Sequence, residues 1–239
     1  GSTIGSATST ITLTGDTRIG AVNASAVSTL AGRITGDYGL DLAGGANGTN
    51  IIRLTNQAND FTGNLSVNTN LNAVTAFNTA AVTVRLGASE VIPNGLGKGN
   101  VILSGGGSGT NAVTLDLNGF NETINSLISY GGHANTFVTN TNAGTTAVLS
   151  IGDNNSSTLF AVNSTHSTFF GGAIQDTGTG RVAITKIGEG TQTFTGANTY
   201  SGVTTVSKGI LQGGALDTFS ANSAVVIADD PTAILALTN

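Results

Sequence analysis

The acidic side chains are the first candidates for chemistry, because polysaccharide lyases and hydrolases need clustered carboxylates or basic groups for acid–base work. Asp229 and Asp230 are the only adjacent carboxylate pair in the sequence, and Pro231 follows them directly. An Asp-Asp-Pro segment is typical of a turn. We therefore expect Asp229 and Asp230 to form a turn and to carry no catalysis.

The nucleophiles and general bases are equally sparse. His133 and His166 lie far apart in the sequence, and no serine occupies a G-x-S-x-G turn. A hydrolytic triad is therefore not indicated. The chain has no cysteine, which excludes disulfides, zinc–thiolate sites and thiol nucleophiles. The sequence predicts a protein that is not an enzyme, and no residue is assigned a catalytic role.

Two glycine-rich segments come near ion-binding motifs. Residues 36–42 approach the calcium-binding nonapeptide, but Asp37 replaces its second glycine and the next nonapeptide lacks the aspartate, so a turn is favoured. Gly97-Lys98-Gly99 lacks the rest of a phosphate-binding loop. We expect Lys98 to be a solvated turn residue, and we expect no metal and no cofactor.

The composition restricts the possible partners. Of 239 residues, 35 are Gly, 2 are Pro and only 9% are charged, so Thr, Ser and Asn supply most of the polarity. The net charge is −5 without a basic cluster, which argues against a nucleic-acid partner. No apolar run approaches the roughly 20 residues that span a bilayer. Gly1-Ser2-Thr3 begins on polar sequence, and we expect the chain to be a fragment of a longer protein.

The local pattern is that of β-strands. Runs at 81–86, 100–103 and 112–117 alternate apolar residues with hydroxyl or other polar residues, which predicts strands with one buried face. Clusters of Gly, Asn and Ser between the runs, as at 44–48 and 105–109, supply tight turns. No window sustains a helical period. The sequence predicts an all-β chain.

An internal duplication decides between all-β architectures. Residues 59–67 align with residues 198–206 at an offset of 139, with the shared pattern N-x-[FY]-[ST]-G-x-x-[ST]-V. We place two long repeats at about 11–147 and 148–239, the second truncated. Long repeats of short strands suit a solenoid. We therefore expect residues 1–239 to form one right-handed parallel β-helix of about ten coils, each of roughly 20 to 25 residues. The alternative is a β-sandwich of two similar domains, but no linker is found.

The second copy carries a family resemblance. Residues 186–212, K-I-G-E-G-T-Q-T-F-T-G-A-N-T-Y-S-G-V-T-T-V-S-K-G-I-L-Q, resemble the passenger-associated transport repeat of bacterial autotransporters. That pattern is K-x-G-x-G-T-x-T-[LF]-[ST]-G-x-N-T-Y-[ST]-G-x-T-x-[VI]-x-x-G-x-L. Residues 115–127 are similar to the strand-turn-strand L-D-L-N-G-x-[NS]-Q-T-[IV]-x-S-L found after such repeats. The first copy, residues 52–71, lacks the K-x-G-x-G-T lead-in and is degenerate. The motif residues, to which we assign a structural role, are Gly63, Gly188, Gly190, Gly196, Asn198, Tyr200, Gly202, Val206, Gly209 and Leu211.

The resemblance implies a passenger on, or released from, a Gram-negative bacterial surface, with a C-terminal outer-membrane β-barrel translocator in the full-length protein. It implies a stalk or adhesin whose repeats assist folding and export. Host-cell or matrix receptors, or other bacterial cells, would be its partners. A polysaccharide-active β-helix enzyme and a self-associating structural rod stay open. Exposed aromatic side chains such as Tyr38, Tyr130 or the pair Phe169-Phe170 are candidate contacts for a partner. One ring of that pair should lie in the core, and neither ring is assigned as a contact. Short F-x-x-N and G-G-A-[ILV] motifs are similar to those of chlamydial polymorphic membrane proteins.

Overall fold

A computed structural model describes residues 1–21, 26–45, 48–68, 81–105, 111–130, 133–152 and 169–237. These residues form 23 short strands, numbered in chain order, and one 3-10 turn at His133–Asn135. Each of these strands pairs in parallel with a strand of a neighbouring coil. The predicted all-β fold and parallel β-helix are confirmed. In the same residues, no helix has both the length and the hydropathy to cross a membrane.

The strands stack in five sheets. The seven-stranded sheet contains β1 (Thr3–Ile4), β4 (Val27–Leu30), β7 (Asn50–Leu54), β9 (Val82–Leu86), β11 (Val113–Asp116), β14 (Thr136–Thr139) and β17 (Ala173–Ile174). The N-terminal five-stranded sheet contains β3 (Thr17–Ala21), β6 (Leu40–Gly44), β8 (Leu65–Asn68), β10 (Val101–Ser104) and β13 (Leu127–Ser129). The C-terminal five-stranded sheet contains β12 (Glu122–Ile124), β15 (Thr146–Ile151), β18 (Arg181–Lys186), β20 (Thr204–Val206) and β22 (Val225–Ile227). The four-stranded sheet contains β16 (Phe169–Phe170), β19 (Thr191–Phe194), β21 (Ile210–Gly213) and β23 (Ile234–Ala236), and the two-stranded sheet contains β2 (Thr10–Thr12) and β5 (Arg33–Thr35).

The five sheets line up as three faces around one core. Strand β13 contacts β16, so the N-terminal five-stranded sheet continues into the four-stranded sheet. Residues 59–62 and 91–92 stack between β5 and β12, which joins the two-stranded sheet to the C-terminal five-stranded sheet. The seven-stranded sheet is the third face. Parallel pairing throughout the described strands overturns the β-sandwich alternative, whose sheets are antiparallel.

Apolar side chains stack inside the coils. In the seven-stranded sheet, successive partners at one inward position are no more than 1% exposed: Ile52, Val84, Leu115, Val138 and Ile174. Successive side chains of a strand point to opposite faces, so the residues between these positions face outward. Strands β7 and β9 accordingly alternate buried and half-buried residues. The apolar–polar alternation of the sequence therefore sets which side chains build the core.

Coil length varies more than the sequence predicts. Paired residues of adjacent coils lie 19 positions apart at Thr191 and Ile210, but 36 positions apart at Leu65 and Val101. The expected 20 to 25 residues therefore describe only some of the coils. The longest sheet has seven strands within the described ranges. The number of about ten coils and the right-handed winding stay predictions.

Candidate functional site

Several buried polar side chains join neighbouring coils, and four of them are Asn59, Glu122, Gln192 and Asn198. Each is at most 9% exposed. Each forms hydrogen bonds with backbone groups of other coils. We call these four residues the bridging side chains. A buried backbone group without a partner is costly, so each bridge supplies a partner that the strands do not.

Asn198 connects three coils at a turn within the repeat pattern. Its Oδ1 accepts a hydrogen bond from the Ile174 amide of the preceding coil at 2.7 Å. Its Nδ2 donates to the Thr218 carbonyl of the following coil at 2.6 Å and to the Gly196 carbonyl of its own coil at 3.2 Å. One amide side chain therefore satisfies buried groups on both sides of its coil.

Asn59 repeats this geometry in the degenerate first copy. Its Oδ1 accepts from the Ile34 amide at 2.8 Å, and its Nδ2 donates to the Val91 carbonyl at 2.8 Å. Two residues further on, Phe61 is 1% exposed, as Tyr200 is 0% exposed after Asn198. The first copy thus keeps the bridge and the buried aromatic ring although it lacks the lead-in.

The two copies lie on different faces of the β-helix. The Asn59 segment stacks on β5 of the two-stranded sheet and leads into β8. The Asn198 segment stacks on β17 of the seven-stranded sheet and leads into β20. The offset of 139 residues therefore does not correspond to a whole number of coils. What recurs is a corner with its flanking strands, and the repeat boundaries at 11–147 and 148–239 stay a prediction.

Glycines in the motif allow neighbouring coils to approach closely. A Cβ atom at Gly63 would lie 2.3 Å from the Gly39 amide nitrogen, and one at Gly202 would lie 2.3 Å from the Val182 carbonyl oxygen. At Gly196 the added Cβ would be only 2.0 Å from the Gly172 carbonyl oxygen. These contacts are with backbone atoms, so no side chain can rotate away to make room.

The remaining predicted motif residues divide between core and corners. Val206 and Leu211 are fully buried, and the buried Tyr200 hydroxyl shares a hydrogen bond of 2.6 Å with the Thr204 hydroxyl. Gly209 has a φ of 68°. The carbonyl of Gly188 accepts from Lys186 Nζ at 2.8 Å, and the carbonyl of Gly190 accepts from the Ile210 amide at 3.0 Å.

Lys186, the first residue of the repeat pattern, is a buried cation at a corner. It is 1% exposed, and its Nζ donates to the carbonyls of Ile187 at 2.5 Å, Gly188 at 2.8 Å and Lys208 at 3.2 Å. Burial lowers the pKa of Lys186 to about 8. Its ammonium group holds three carbonyl dipoles of two coils together, which gives the motif lysine a structural role.

Gln192 is an inward residue of β19 whose side chain bonds to an earlier coil. It is 2% exposed and lies next to Thr193, which pairs with Phe169 of β16. Its side-chain Nε2 donates to the Leu127 carbonyl at 2.9 Å, and its Oε1 accepts from the Leu127 amide at 3.1 Å. The side-chain amide therefore forms the two hydrogen bonds that a peptide group would form in the ladder.

Replacing Gln192 with Leu should lower the free energy of unfolding by about 3 kcal/mol, because the Leu127 N–H and C=O both lose their partner inside the protein. Urea denaturation measures this change. The matched control is Gln212→Leu, one coil further along the same sheet, where the half-buried side chain should contribute no more than about 0.5 kcal/mol. Equal losses in the two variants would contradict a ladder role for Gln192.

Glu122 is a buried carboxyl group in the strand-turn-strand segment, at the position where the family pattern has Gln. Its two oxygens accept hydrogen bonds from the Val91 amide at 3.1 Å and the Ile92 amide at 2.9 Å. Burial raises the pKa of Glu122 to about 8, the two amides oppose this rise, and the nearby Glu90 carboxylate adds to it. The group is therefore held near its ionisation point at neutral pH.

Stability should fall as the pH rises through this pKa. The unfolded pKa of a glutamate is 4.5 and the folded pKa is about 8, so between these values the folded state binds the extra proton. We expect the unfolding free energy to decrease between pH 5 and pH 8.5 by a few kcal/mol, on the order of 1.4 per pKa unit. The urea midpoint, measured across this range, should depend less on pH in Glu122→Gln than in the unchanged protein. Parallel pH profiles of the two proteins would refute a raised pKa.

The residues weighed for chemistry lie apart. Asp229 and Asp230 form the predicted turn between β22 and β23, where Asp230 Oδ1 accepts from the Thr232 amide at 2.8 Å and the Thr232 hydroxyl at 2.6 Å. These bonds lower the pKa of Asp230. His133 begins the 3-10 turn, its side chain lies outside what the structure describes, and His166 lies outside the described residues altogether.

Lys98 and the Phe169-Phe170 pair are further candidates for ion binding and for contact with a partner. Lys98 corrects the prediction of a solvated turn residue: it is half-buried, and its Nζ donates to the Asp60 carbonyl of the preceding coil at 2.5 Å. Within the described ranges, no three His, Asp or Glu side chains are arranged as metal ligands. Phe170 is fully buried and meets Phe194 edge to face at 6.3 Å, which confirms that one ring of the Phe169-Phe170 pair lies in the core.

Sequence reasoning did not single out Lys186, Gln192 or Glu122, although it quoted the segments that contain them. The available signal was the period of two. Lys186 shares its strand face with Ile184, Gln192 with Phe194 and Glu122 with Ile124, so each polar side chain occupies an inward position. A polar residue at an inward position must find a hydrogen-bond partner in the core.

Comparison with known families supports the repeat assignment. The family model described as passenger-associated-transport-repeat matches residues 184–212, a range that contains Lys186, Gln192, Asn198 and the corner glycines Gly196 and Gly202. No curated protein and no solved structure matches the chain significantly. The repeat family implies a secreted or surface-exposed protein with a linked outer-membrane translocator in its full-length form. Residues 184–212 thus match the passenger-associated transport repeat, and this match suggests an autotransporter passenger domain.

Proposed function

We propose that this chain is a β-helical stalk or adhesin within an autotransporter passenger, and that its repeat assists folding and export. The observation that carries the proposal is the set of contacts that Asn198 makes with both neighbouring coils. A coil of this kind completes the hydrogen bonds of one neighbour and presents groups for the next.

Export is directional if each folded coil templates the following one. Stacked coils contact only their neighbours, so folding can propagate along the rod. In the repeat, Gln192 reaches Leu127 of an earlier coil, while Lys186 reaches the Lys208 carbonyl of a later one. The stacking of each new coil therefore forms hydrogen bonds that an isolated coil lacks. A passenger that folds this way outside the cell would resist sliding back.

We propose a non-catalytic role. Asp230 is engaged by Thr232, and Asp229 lies in the same exposed turn. The enzyme alternative requires turnover of a polysaccharide that is lost in Asp229→Ala or Asp230→Ala. The adhesin role requires the purified chain to attach to host cells, matrix or other bacteria. The structural-rod alternative requires self-association without such attachment.

The export role is tested in the full-length protein, expressed with its own translocator, by the rate at which the passenger becomes accessible to external protease. Gly202→Pro removes the hydrogen bond of 3.0 Å from the Gly202 amide to the Val182 carbonyl. It also adds a Cβ atom, which would lie 2.3 Å from the Val182 carbonyl oxygen. We expect slower surface exposure. Unchanged export kinetics would overturn the proposal.

A matched pair separates an export role from a general loss of stability. Asn198→Ala and Asn59→Ala remove equivalent bridges, one inside the matched segment 184–212 and one outside it. If the repeat serves export, Asn198→Ala should slow exposure more than Asn59→Ala at equal loss of stability in the purified chains. Equal delays would assign the effect to stability alone.

A further inference from the structure

A concave cleft of about 630 Å³ lies on the outer side of the N-terminal five-stranded sheet, between strands β3, β6 and β8 and the turns before them. Arg18, Asp41 and Ser66 are successive partners in the sheet and form the floor. They face outward because Leu40 and Leu42, on either side of Asp41, are buried. The volume is within the range of roughly 300 to 1,000 Å³ that small-ligand sites occupy.

The polar groups of the cleft keep hydrogen-bonding capacity for a ligand. Asp41 Oδ2 pairs with Arg18 Nε at 2.5 Å, whereas Asp41 Oδ1 is buried and has no hydrogen-bond partner among the described residues. Asp16 uses Oδ1 to accept from the Gly39 amide at 2.8 Å, and Asn64 uses Oδ1 to accept from the Asn100 amide at 2.9 Å. The second oxygen of Asp16 and the Nδ2 of Asn64 form no hydrogen bond with another residue in the described ranges. Asp41 Oδ1 lies below the surface of the floor, so the polar groups open to a ligand are the Arg18 guanidinium group, Asp16 and Asn64.

An aromatic side chain stands at the wall of the cleft on a firmly held turn. Tyr38 is 43% exposed, and its neighbour Asp37 is also exposed. The turn is held by the bond from the Gly39 amide to Asp16 and by the close approach of Gly63, where a Cβ would lie 2.4 Å from the Tyr38 carbonyl carbon. Ligand binding therefore does not have to order the backbone that carries the Tyr38 ring.

We propose that this cleft binds a neutral saccharide, and the proposal names a ligand class for the adhesin role and rests on that role. A sugar ring offers hydroxyl groups that both donate and accept, which suits carboxylate acceptors beside the Arg18 and Asn64 donors. Its apolar C–H face stacks on an aromatic ring such as Tyr38. An anion would meet the carboxylates of Asp16, Asp37 and Asp41, and a simple cation would leave the donors unmatched.

The test is binding of the purified 239-residue chain to immobilised oligosaccharides. The arms carry neutral glycans of animal cell surfaces, neutral bacterial polysaccharide, sialylated glycans and amino sugars. We expect binding on a neutral arm, and which neutral arm responds identifies the source. Tyr38→Ala should weaken it about tenfold. Asp37→Asn should weaken it less, because an amide oxygen still accepts from a hydroxyl group.

Two variants serve as controls. Leu216→Ala removes an apolar side chain that is 79% exposed outside the cleft, and Asp229→Asn removes an exposed carboxylate outside it. Both should bind as the unchanged chain does, and an unaltered urea midpoint would show that Tyr38→Ala folds. Absence of binding on every arm, binding on the charged arms alone, or binding that Tyr38→Ala leaves unchanged would overturn the proposal. Attachment of the purified chain to host cells, matrix or other bacteria is measured separately, so a failure of the saccharide proposal is distinguishable from a failure of the adhesin role.

Discussion

Gly196→Ala should lower the free energy of unfolding by about 3 kcal/mol or more, because a single methyl group would force two coils apart. The added Cβ would lie 2.0 Å from the Gly172 carbonyl oxygen and 2.7 Å from both the Gly172 carbonyl carbon and the Gly171 carbonyl oxygen. Moving backbone at this corner disturbs the stacking of β16 against β19. Urea denaturation of the purified chain, followed by far-UV circular dichroism, measures the loss.

Gly15 provides the matched control for this substitution. A Cβ at Gly15 would meet nothing within 4 Å, and its φ does not lie in the left-handed region. Gly15→Ala should leave the stability unchanged or raise it by up to about 1 kcal/mol, because alanine restricts the unfolded chain. If Gly196→Ala is tolerated as well as Gly15→Ala, coil spacing at this corner does not depend on the missing side chain.

Asn198→Ala should lower the free energy of unfolding by about 3 kcal/mol, because it removes a bridge and leaves two buried groups unpaired. The Ile174 amide loses its acceptor at 2.7 Å, and the Thr218 carbonyl loses its donor at 2.6 Å. Asn59→Ala should cost a comparable amount, since it breaks the equivalent bonds from Ile34 and to Val91. Urea denaturation of the three chains tests both expectations.

An exposed asparagine on the coil after Asn198 is the control. Asn222 is exposed and donates to the Thr199 carbonyl at 3.4 Å, so Asn222→Ala should change the stability by no more than about 0.5 kcal/mol. A loss in Asn198→Ala as small as that in Asn222→Ala would show that water or a shifted backbone satisfies the Ile174 and Thr218 groups.

The repeat pattern singles out residue types at fixed places, but it does not give their contacts. Asn198 and Gly202 are prominent in the sequence because the family pattern has the same residue types at those places. The contacts of Asn198 depend on coil length, since its partners lie 24 positions earlier and 20 positions later. The same motif around Asn59 therefore sits on another face, with partners 25 positions earlier and 32 positions later.

For the inward polar residues, the sequence predicts even less about the contacts that they form. The alternation of Gln192 with Phe194 places the amide inside the coil, but its partner Leu127 lies 65 positions away. The period of two gives the direction of a side chain but not the coil that it reaches. The cleft beside Tyr38 likewise needs strands from three coils in register.

The sequence by itself determined the all-β character, the parallel solenoid and the resemblance of residues 186–212 to the passenger repeat, because alternation, turn residues and local motif spacing are properties of neighbouring positions. Only the tertiary structure decided which coil each bridging side chain joins, how Lys186 and Glu122 are buried, and which outward side chains meet in the cleft. These features depend on the number of residues in each coil. Coils that range from 19 to 36 residues bring together positions that no fixed period in the sequence relates.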